Sequence, residues 1–328
     1  MKKSNSPTMK DVAREAGVAL GTVSRVINGI PVGESYRLRV EDAIEKLGYR
    51  VNSYARGLKT NRTNCVALLM PSLSHPFFAA LTDKLTACLM KHGYRSILMI
   101  TNYDPEAEKK CLVLGHENKV DGVIALTYSP DLQPDDATPM VTIDRHCGDS
   151  IPCVSSDNYR GGEIAAEKLA ELGCRRLLFM AVASDIPGEV EKRGGGFEAA
   201  CRRLHIAYEQ IILHDRDTEA PFYDFLLRHI REGVPDFDGI FCNTDRLACR
   251  MRDFLLRQGI RIPEDIQLIG YDGITDYATG RYTCSTIVQP IAQIAETAVS
   301  LLLDTTGLAV PTNICLPVHY APGGTTRE

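Results

Sequence analysis

Between residues 8 and 48 the apolar positions recur at helical spacing. Val12, Ala13 and Ala16, then Val23, Val26 and Ile27, then Val40, Ile44 and Leu47, each gather on one side of a 3.6-residue turn. The spacing predicts three helices. Thr8 can cap the first, with Asp11 three residues on in capping-box register, and Gly17 can supply the left-handed residue that ends it. A second runs from Leu20 or Gly21 to Asn28, where Gly29 stops it, and a third from about Ser35 to Leu47, where Gly48 stops it. Two short helices joined at a glycine have the layout of a helix-turn-helix. Thr22, Ser24, Arg25 and Asn28 are left on the outer face, and a small helix carrying a cation is what a major groove admits.

Residues 49 to 63 are rich in Asn, Ser, Arg and Lys. Ser53 can cap a very short helix over Tyr54–Thr60. A helix of this length is marginal alone, and Gly57 weakens it further, so the stretch reads as a hinge that turns helical only when something holds it. From Asn64 the period changes. Runs at Cys65–Met70, Arg95–Ile100, Gly122–Leu126, Met140–Ile143, Arg176–Ala181, Gln210–Leu213, Gly239–Cys242 and Ile266–Tyr271 predict strands. Pro76–His92, Arg160–Leu172, Arg246–Gln258 and Ile291–Asp304 predict helices. Such alternation gives parallel sheets covered by helices. About 260 residues exceed one simple doubly wound domain, so two lobes are expected.

Charge sharpens the division. The formal net charge of -5 by itself argues against nucleic acid. Its distribution reverses that: residues 1–62 hold 12 Lys and Arg against 6 Asp and Glu, and the remainder holds 25 against 36. A basic head on an acidic body fits a DNA-binding module fused to something else. No apolar run reaches the length of a membrane span, and the polar opening Met-Lys-Lys-Ser-Asn-Ser-Pro-Thr has no signal-peptide pattern, so a cytoplasmic protein without membrane partners is expected. Eleven cysteines, with no Cys-x-x-Cys, read as buried reduced thiols. No metal and no cofactor are expected.

In open parallel sheets, ligands sit beyond the carboxyl ends of strands. Residues just past the predicted strands form a polar set: His75 with Phe77 and Phe78, Asp144 with Arg145, Asn243 with Asp245, and Asp272. Arg193 lies in Lys-Arg-Gly-Gly-Gly-Phe, just before a helix. Acids, an amide and a guanidinium can grip adjacent hydroxyls while aromatic rings stack on an apolar face, the outline of a polyol or nucleobase pocket. Each has a plainer reading. Asp245 reads equally as a helix cap, the Phe pair as core, His75 as a turn residue, Arg145 as a surface ion-pair partner, and Gly194–Gly196 as tight packing. Gly-x-Ser-x-Gly, His-Glu-x-x-His and phosphate-loop patterns are absent and the histidines are dispersed, so an enzyme is not expected.

The order of residues over 8–60 is not generic. Thr-Met-Lys-Asp-Val-Ala, Ala-Gly-Val, Thr-Val-Ser-Arg-Val-Ile-Asn-Gly, Ala-Ile-Glu-Lys-Leu-Gly-Tyr and Tyr-Ala-Arg-Gly-Leu-Lys-Thr follow one another. The chain resembles the LacI/GalR family of bacterial transcriptional repressors, with looser motifs continuing to about residue 320. The resemblance implies an N-terminal all-α helix-turn-helix domain (1–50), a hinge (51–63) and an α/β two-lobed, periplasmic-binding-protein-like body with parallel sheets (64–328). Its first lobe would take about 64–157 and 290–307 and its second about 158–289 and 308–328. The crossings would fall near Asp157, near Gln289 and after Ile291–Asp304.

The resemblance also implies roles. The second helix enters a major groove, with Leu20, Gly21 and Arg25 at the variable reading positions. Arg25 would meet guanine O6 and N7, while Thr8, Thr22, Ser24, Asn28 and Tyr49 would contact phosphates. In the hinge, Leu58 would wedge into the minor groove, Ala55 would let two hinge helices approach, and Lys59 lies in the same DNA-contacting segment. Arg193, which with Phe197 fits the family's Arg-x-x-Gly-Phe motif, would contact effector together with Asn243 and Asp272. Phe77 and Phe78 would line the pocket, and the strand-end reading adds His75 and Asp144, although the family often has Asn-Pro where this chain has His75-Pro76. The implied partners are a pseudo-palindromic double-stranded operator, a small effector, most simply a carbohydrate, and a second copy in a homodimer. A sugar transport receptor or an α/β enzyme would suit the body but not the basic head.

Overall fold

The structure, a computed structural model, describes residues 7–49, 63–129, 131–132, 138–148, 150–184, 186, 188–214, 217–304 and 313–328. The chain divides into two compact units, Met1–Thr63 and Asn64–Glu328.

In the first unit, α1 (Met9–Ala16), α2 (Leu20–Ile27) and α3 (Glu34–Leu47) enclose a core of Val12, Ala13, Ala16, Val23, Val40 and Ala43. Thr8 and Asp11 close the capping box: Asp11 N donates to Thr8 Oγ1 at 3.4 Å, and Thr8 N donates to Asp11 Oδ2 at 2.9 Å. Gly17 takes φ 60°, and Val18 N reaches back to Ala13 O at 3.1 Å, ending α1 in a Schellman turn. The helix expected over Tyr54–Thr60, with Ala55, Leu58 and Lys59, lies outside the described residues.

The second unit runs through β1 (Cys65–Met70), α4 (Pro76–Lys91), β2 (Arg95–Ile100), α5 (Pro105–Glu117), β3 (Gly122–Ala125), β4 (Met140–Ile143) and β5 (Cys153–Ser156). It continues with α6 (Asn158–Glu171), β6 (Arg176–Ala183), α7 (Lys192–Arg203), β7 (Ala207–His214), α8 (Ala220–Arg228) and a small hairpin of β8 (Ile230–Arg231) and β9 (Val234–Pro235). Then come β10 (Gly239–Cys242), α9 (Asp245–Arg257), β11 (Gln267–Asp272), β12 (Ser285–Val288), α10 (Ile291–Leu303), β13 (Asn313–Leu316) and β14 (His319–Ala321). Two six-stranded sheets form, in the orders β13-β5-β4-β3-β1-β2 and β14-β12-β11-β10-β6-β7. Every pairing is parallel except β12 with β14.

Both faces of each sheet are covered, which is why the central strands read as unbroken apolar runs. Val66, Leu68 and Met70 of β1 pack with α4 and α10, while Cys65, Ala67 and Leu69 face the other way toward Cys111 and Leu112 of α5. In the second sheet Leu177, Phe179 and Ala181 meet α6 and α7, and Leu178 and Met180 meet α8 and α9.

The lobe boundary needs one correction. Residues 308–328 were all expected in the second lobe, but β13 pairs with β5 in the first sheet, register Asn313↔Cys153 to Leu316↔Ser156. The third crossing therefore falls at residues 317–318, between β13 and β14. The hydrophobic pattern hid this because β13 is a short edge strand with alternate residues exposed.

Candidate functional site

Each unit presents its own candidate surface. On the first, α2 turns Val23, Val26 and Ile27 inward and leaves Leu20, Gly21 and Arg25 exposed. Among the described residues the Arg25 guanidinium has no hydrogen-bond or ion-pair partner. Ser24 and Asn28 are linked, Asn28 Nδ2 donating to Ser24 O at 2.7 Å and lying 3.4 Å from Ser24 Oγ. Thr22 sits half-buried on the same helix. The Thr8 hydroxyl already donates to Asp11 Oδ2 at 2.7 Å, so the cap holds it first. Tyr49 packs against the three-helix core, and burial pushes its phenol up.

In the second unit the carboxyl ends of both sheets open onto one cavity of about 590 Å³. His75, Phe77, Phe78, Asp144, Arg193, Asn243 and Asp272 all line it, along with Arg145, Tyr128 and Gln289. Arg193 is its centre. Its Nε donates to Asn158 Oδ1 at 2.7 Å and its Nη1 to Asn243 O at 2.6 Å. The guanidinium carbon lies 3.5 Å from the centre of the Tyr271 ring, and Nη1 lies 3.9 Å from Asp272 Oδ1. Arg193 is the second residue of α7, not ahead of it as expected, and Gly194–Gly196 are helical. Those glycines let two helices touch backbone to backbone: a Cβ on Gly196 would fall 1.9 Å from Tyr159 O, and one on Gly162 would fall 1.9 Å from Arg193 O. That contact of α6 with α7 brings Asn158 to Arg193.

Other residues take places the sequence left open. Asn243 has its side chain tied to β6, donating to Val182 O at 2.9 Å and accepting from Val182 N at 3.3 Å, so its main part here is to orient Arg193 through its own carbonyl. Phe77 and Phe78 are both core and lining; they are buried, and their rings meet edge-on at 5.9 Å. His75 stands at the N-cap of α4 without capping it, its ring 4.8 Å from Phe78. Arg145 is not a surface ion-pair partner: it is buried over the Tyr128 ring at 4.3 Å and donates to Ile186 O. Asp245 is not the cap of α9. Thr244 is, accepting from Leu247 N at 3.2 Å, and Asp245 Oδ2 instead accepts from Gly273 N at 2.9 Å and Ile274 N at 2.7 Å. Gln289 was not singled out as a site residue. Its Nε2 donates to Asp272 Oδ1 at 2.8 Å and its Oε1 accepts from Ser156 Oγ at 2.7 Å, tying the second sheet to the first.

The cavity is built for something polar. Asp144 Oδ1, Asp272 Oδ2 and His75 Nδ1 are buried and have no hydrogen-bond partner among the described residues. Burial pushes the Asp144 carboxyl up to about 6 against the pull of Arg193 and Arg145, and pushes Asp272 well above the usual carboxylate range against Arg193. Burial, then the charges of Arg246 and Arg193, bring the His75 imidazole down to about 4, so it is neutral at pH 7. Asp144 and Asp272 also hold φ values of 59° and 129°, where side-chain-bearing residues are strained by roughly 1–3 kcal/mol each. Strained acids with unsatisfied oxygens, flanking one fixed guanidinium, suit a ligand that supplies several hydroxyl donors.

Comparison with known proteins agrees in both units. Residues 8–52 match the family described as bacterial regulatory proteins, lacI family, and residues 63–321 match periplasmic binding proteins and sugar binding domain of LacI family. The sucrose operon repressor of Streptococcus mutans is 31% identical over 323 residues, covering 96% of this chain and 98% of that protein. A periplasmic binding protein/LacI transcriptional regulator from Alkaliphilus metalliredigens, solved with D-xylulofuranose, superposes with a TM-score of 0.69 at 28% identity over 81% of this chain and all of that one. The lac repressor dimer bound to operator and the anti-inducer ONPF has a TM-score of 0.82 at 22% identity, over 98% of this chain and all of the other, a likeness of fold.

Proposed function

Since this chain belongs to the lacI family of bacterial regulatory proteins, a family of DNA-binding transcriptional regulators and not of enzymes, we propose that it is a cytoplasmic operon repressor controlled by a sugar or sugar derivative bound between its two sheets. The observation that carries the effector reading is the set of unpartnered buried oxygens on Asp144 and Asp272 around Arg193. Carboxyls accept from hydroxyls and the guanidinium donates to them, while Phe77 and Phe78 offer an apolar wall. Relatives and neighbours with sugars in their names support the class.

We assign Leu20, Gly21 and Arg25 to base reading, and Thr8, Thr22, Ser24, Asn28 and Tyr49 to the phosphates. From the hinge, Ala55, Leu58 and Lys59 meet the minor groove. A homodimer reads a pseudo-palindrome with two such units. What supports pairing is exposed apolar surface in the first sheet's lobe: Leu98 and Ile100 on the edge strand β2, Met90 on α4 and Val113 on α5. Gln289, held by both sheets, is the natural place for a ligand to change the lobe angle. A ligand does so only if it binds one arrangement better than the other. The test is operator binding titrated with ribose, sucrose, xylulose and their phosphates, alongside thermal unfolding with each. If none of these sugars shifts either the operator affinity or the melting temperature, the effector assignment fails while the DNA-binding one stands.

A further inference from the structure

The effector pocket leaves one reactive pair of side chains without a role. Cys249 lies on α9 one turn beyond Asp245, and Cys284 immediately precedes β12. The two side chains share one junction: Cys249 reaches the residue just ahead of Cys284, and Cys284 reaches Asp245, one turn before Cys249. Cys284 Sγ lies 3.4 Å from Asp245 Oδ1, and Cys249 Sγ lies 3.8 Å from Thr283 O, which also accepts from Arg252 Nη1 at 2.7 Å. Cys249 is part-exposed and Cys284 buried. The cluster is close-packed: a Cβ on Gly270 would fall 2.3 Å from Asp245 Oδ1 and 2.9 Å from Cys284 Sγ.

These groups pin both ends of one loop. Asp245 Oδ2 holds Gly273 N and Ile274 N at its start, and Cys284 and the Arg252–Thr283 contact hold its end. The residue before that loop is Asp272, in the effector cavity. We propose that Cys249 and Cys284 are a redox modification site, closed to a reversible disulfide by a hydroperoxide, and that closure loosens the anchorage of the loop that begins at Asp272.

The chemistry fits the surroundings. The hydrogen bond from Cys284, with Arg252 nearby, draws the Cys249 thiol down to about 7, so it is the thiolate of the pair. Burial instead pushes Cys153, Cys174 and Cys201 up to about 12, which keeps them inert. Cys249 sulfur attacks the terminal oxygen of the hydroperoxide and the O–O bond breaks. The departing alkoxide or hydroxide takes a proton, and a sulfenic acid remains. Cys284 sulfur, its proton passing to the Asp245 carboxylate, then attacks the sulfenic sulfur. The S–O bond breaks and the hydroxide leaves as water with that proton. Two thiols and one hydroperoxide give one disulfide, one alcohol or water, and one further water, with two electrons moved from sulfur to oxygen. The S–H that served Asp245 is gone, and Asp245 loses a neighbour that fixed its orientation.

Only what the loosened loop would do to ligand binding rests on the reading of Asp272 as an effector contact. The test needs no effector. The full chain is treated with a small excess of hydrogen peroxide, then analysed by intact mass, peptide mapping and hydrogen exchange. A loss of about 2 Da is expected, mapped to a Cys249–Cys284 link and reversed by dithiothreitol. Exchange at the Gly273 and Ile274 amides should quicken by at least about tenfold in the linked form. Cys249→Ser and Cys284→Ser should each abolish both changes. A wild-type chain that gains oxygen at Cys315 or elsewhere without that link overturns the site. A link that forms while exchange at Gly273 and Ile274 stays put overturns the coupling to the loop. A failed sugar screen touches neither result.

Discussion

Arg25 and Arg193 carry the same charge in opposite surroundings. Arg25 stands exposed on a two-turn helix with no partner among the described residues, whereas Arg193 is buried, with its Nε and Nη1 hydrogen-bonded and a tyrosine ring beneath it. On the assignment proposed above, the first leaves water only when it meets a polyanion. The second has already lost its water, and the fold has fixed its direction before any ligand arrives. If the two act as proposed, one surface gains its energy from displaced counterions and the other from preorganised dipoles in a buried site. The two should answer differently to salt, to truncation and to pH.

Salt separates them most. For a dimer making the 6–10 phosphate contacts usual for such proteins, operator affinity should fall roughly 10³- to 10⁵-fold between 50 and 200 mM salt. Effector affinity should move by less than about twofold, because charges out of water are weakly screened. Fluorescence anisotropy on operator and calorimetry with the active sugar, run over one salt series, give both slopes. Equal slopes would erase the distinction.

Truncation comes next. Arg193→Ala removes the countercharge near Asp144 and Asp272 and leaves Asn158 Oδ1 and Asn243 O without their donor. Breaking such a buried pair should cost about 3 kcal/mol or more in unfolding free energy and abolish the effector response. Arg193→Lys should not rescue it, since an ammonium has no planar fork to span both acceptors. Urea unfolding checks the first claim. An unchanged midpoint would mean that the two acids simply neutralise.

How much of this could be read from the sequence also differs between the regions. The helical unit was almost wholly legible, because Thr8, Gly17, Gly29 and Gly48 mark its boundaries and one apolar face repeats at 3.6. In the body, long central strands were visible because both faces are buried, and their ends pointed at the acids of the cavity. Short edge elements were not: β13 and β14 have four and three residues, α5 begins at a proline within polar sequence that masks its period, and α8 is only nine residues long. Gln289 escaped because β12, Ser-Thr-Ile-Val, opens with two polar residues and does not read as a strand, so no strand end drew attention to it. The direction of Asp245 is set by the backbone of a distant loop, which no local pattern encodes.

Acidity comes third. Asp144 is raised from 3.8 to about 6 by burial, so the folded state holds its proton more tightly than the unfolded chain. That contribution is fully present below pH 3.8 and is lost as pH rises through 6, a difference of up to about 3 kcal/mol at 1.36 kcal/mol per unit. Asp144→Asn should therefore be the more stable protein at pH 8, with the gap closing toward pH 4. The same change should weaken the effector, because an amide nitrogen replaces one acceptor. Melting curves of both proteins from pH 4 to 8 decide it; parallel curves would show that Asp144 keeps its water when folded.

The smallest effect belongs to the most exposed group. Arg25→Ala removes no packing and no internal hydrogen bond, so stability should hold within about 0.5 kcal/mol. If its guanidinium meets guanine O6 and N7, the loss should be roughly 1–3 kcal/mol of discrimination at one base pair per half-site. Operators altered at that base pair should then bind wild type and variant alike, and the salt slope should stay the same because no phosphate contact is lost. A phosphate contact predicts the reverse: weakening on every sequence, and a slope smaller by about one per arginine removed. Binding of both proteins to operators permuted at each position, at two salt concentrations, separates the two. A uniform loss with a reduced slope would place Arg25 on the backbone, and base reading on α2 would then fall to Leu20 and the bare backbone at Gly21.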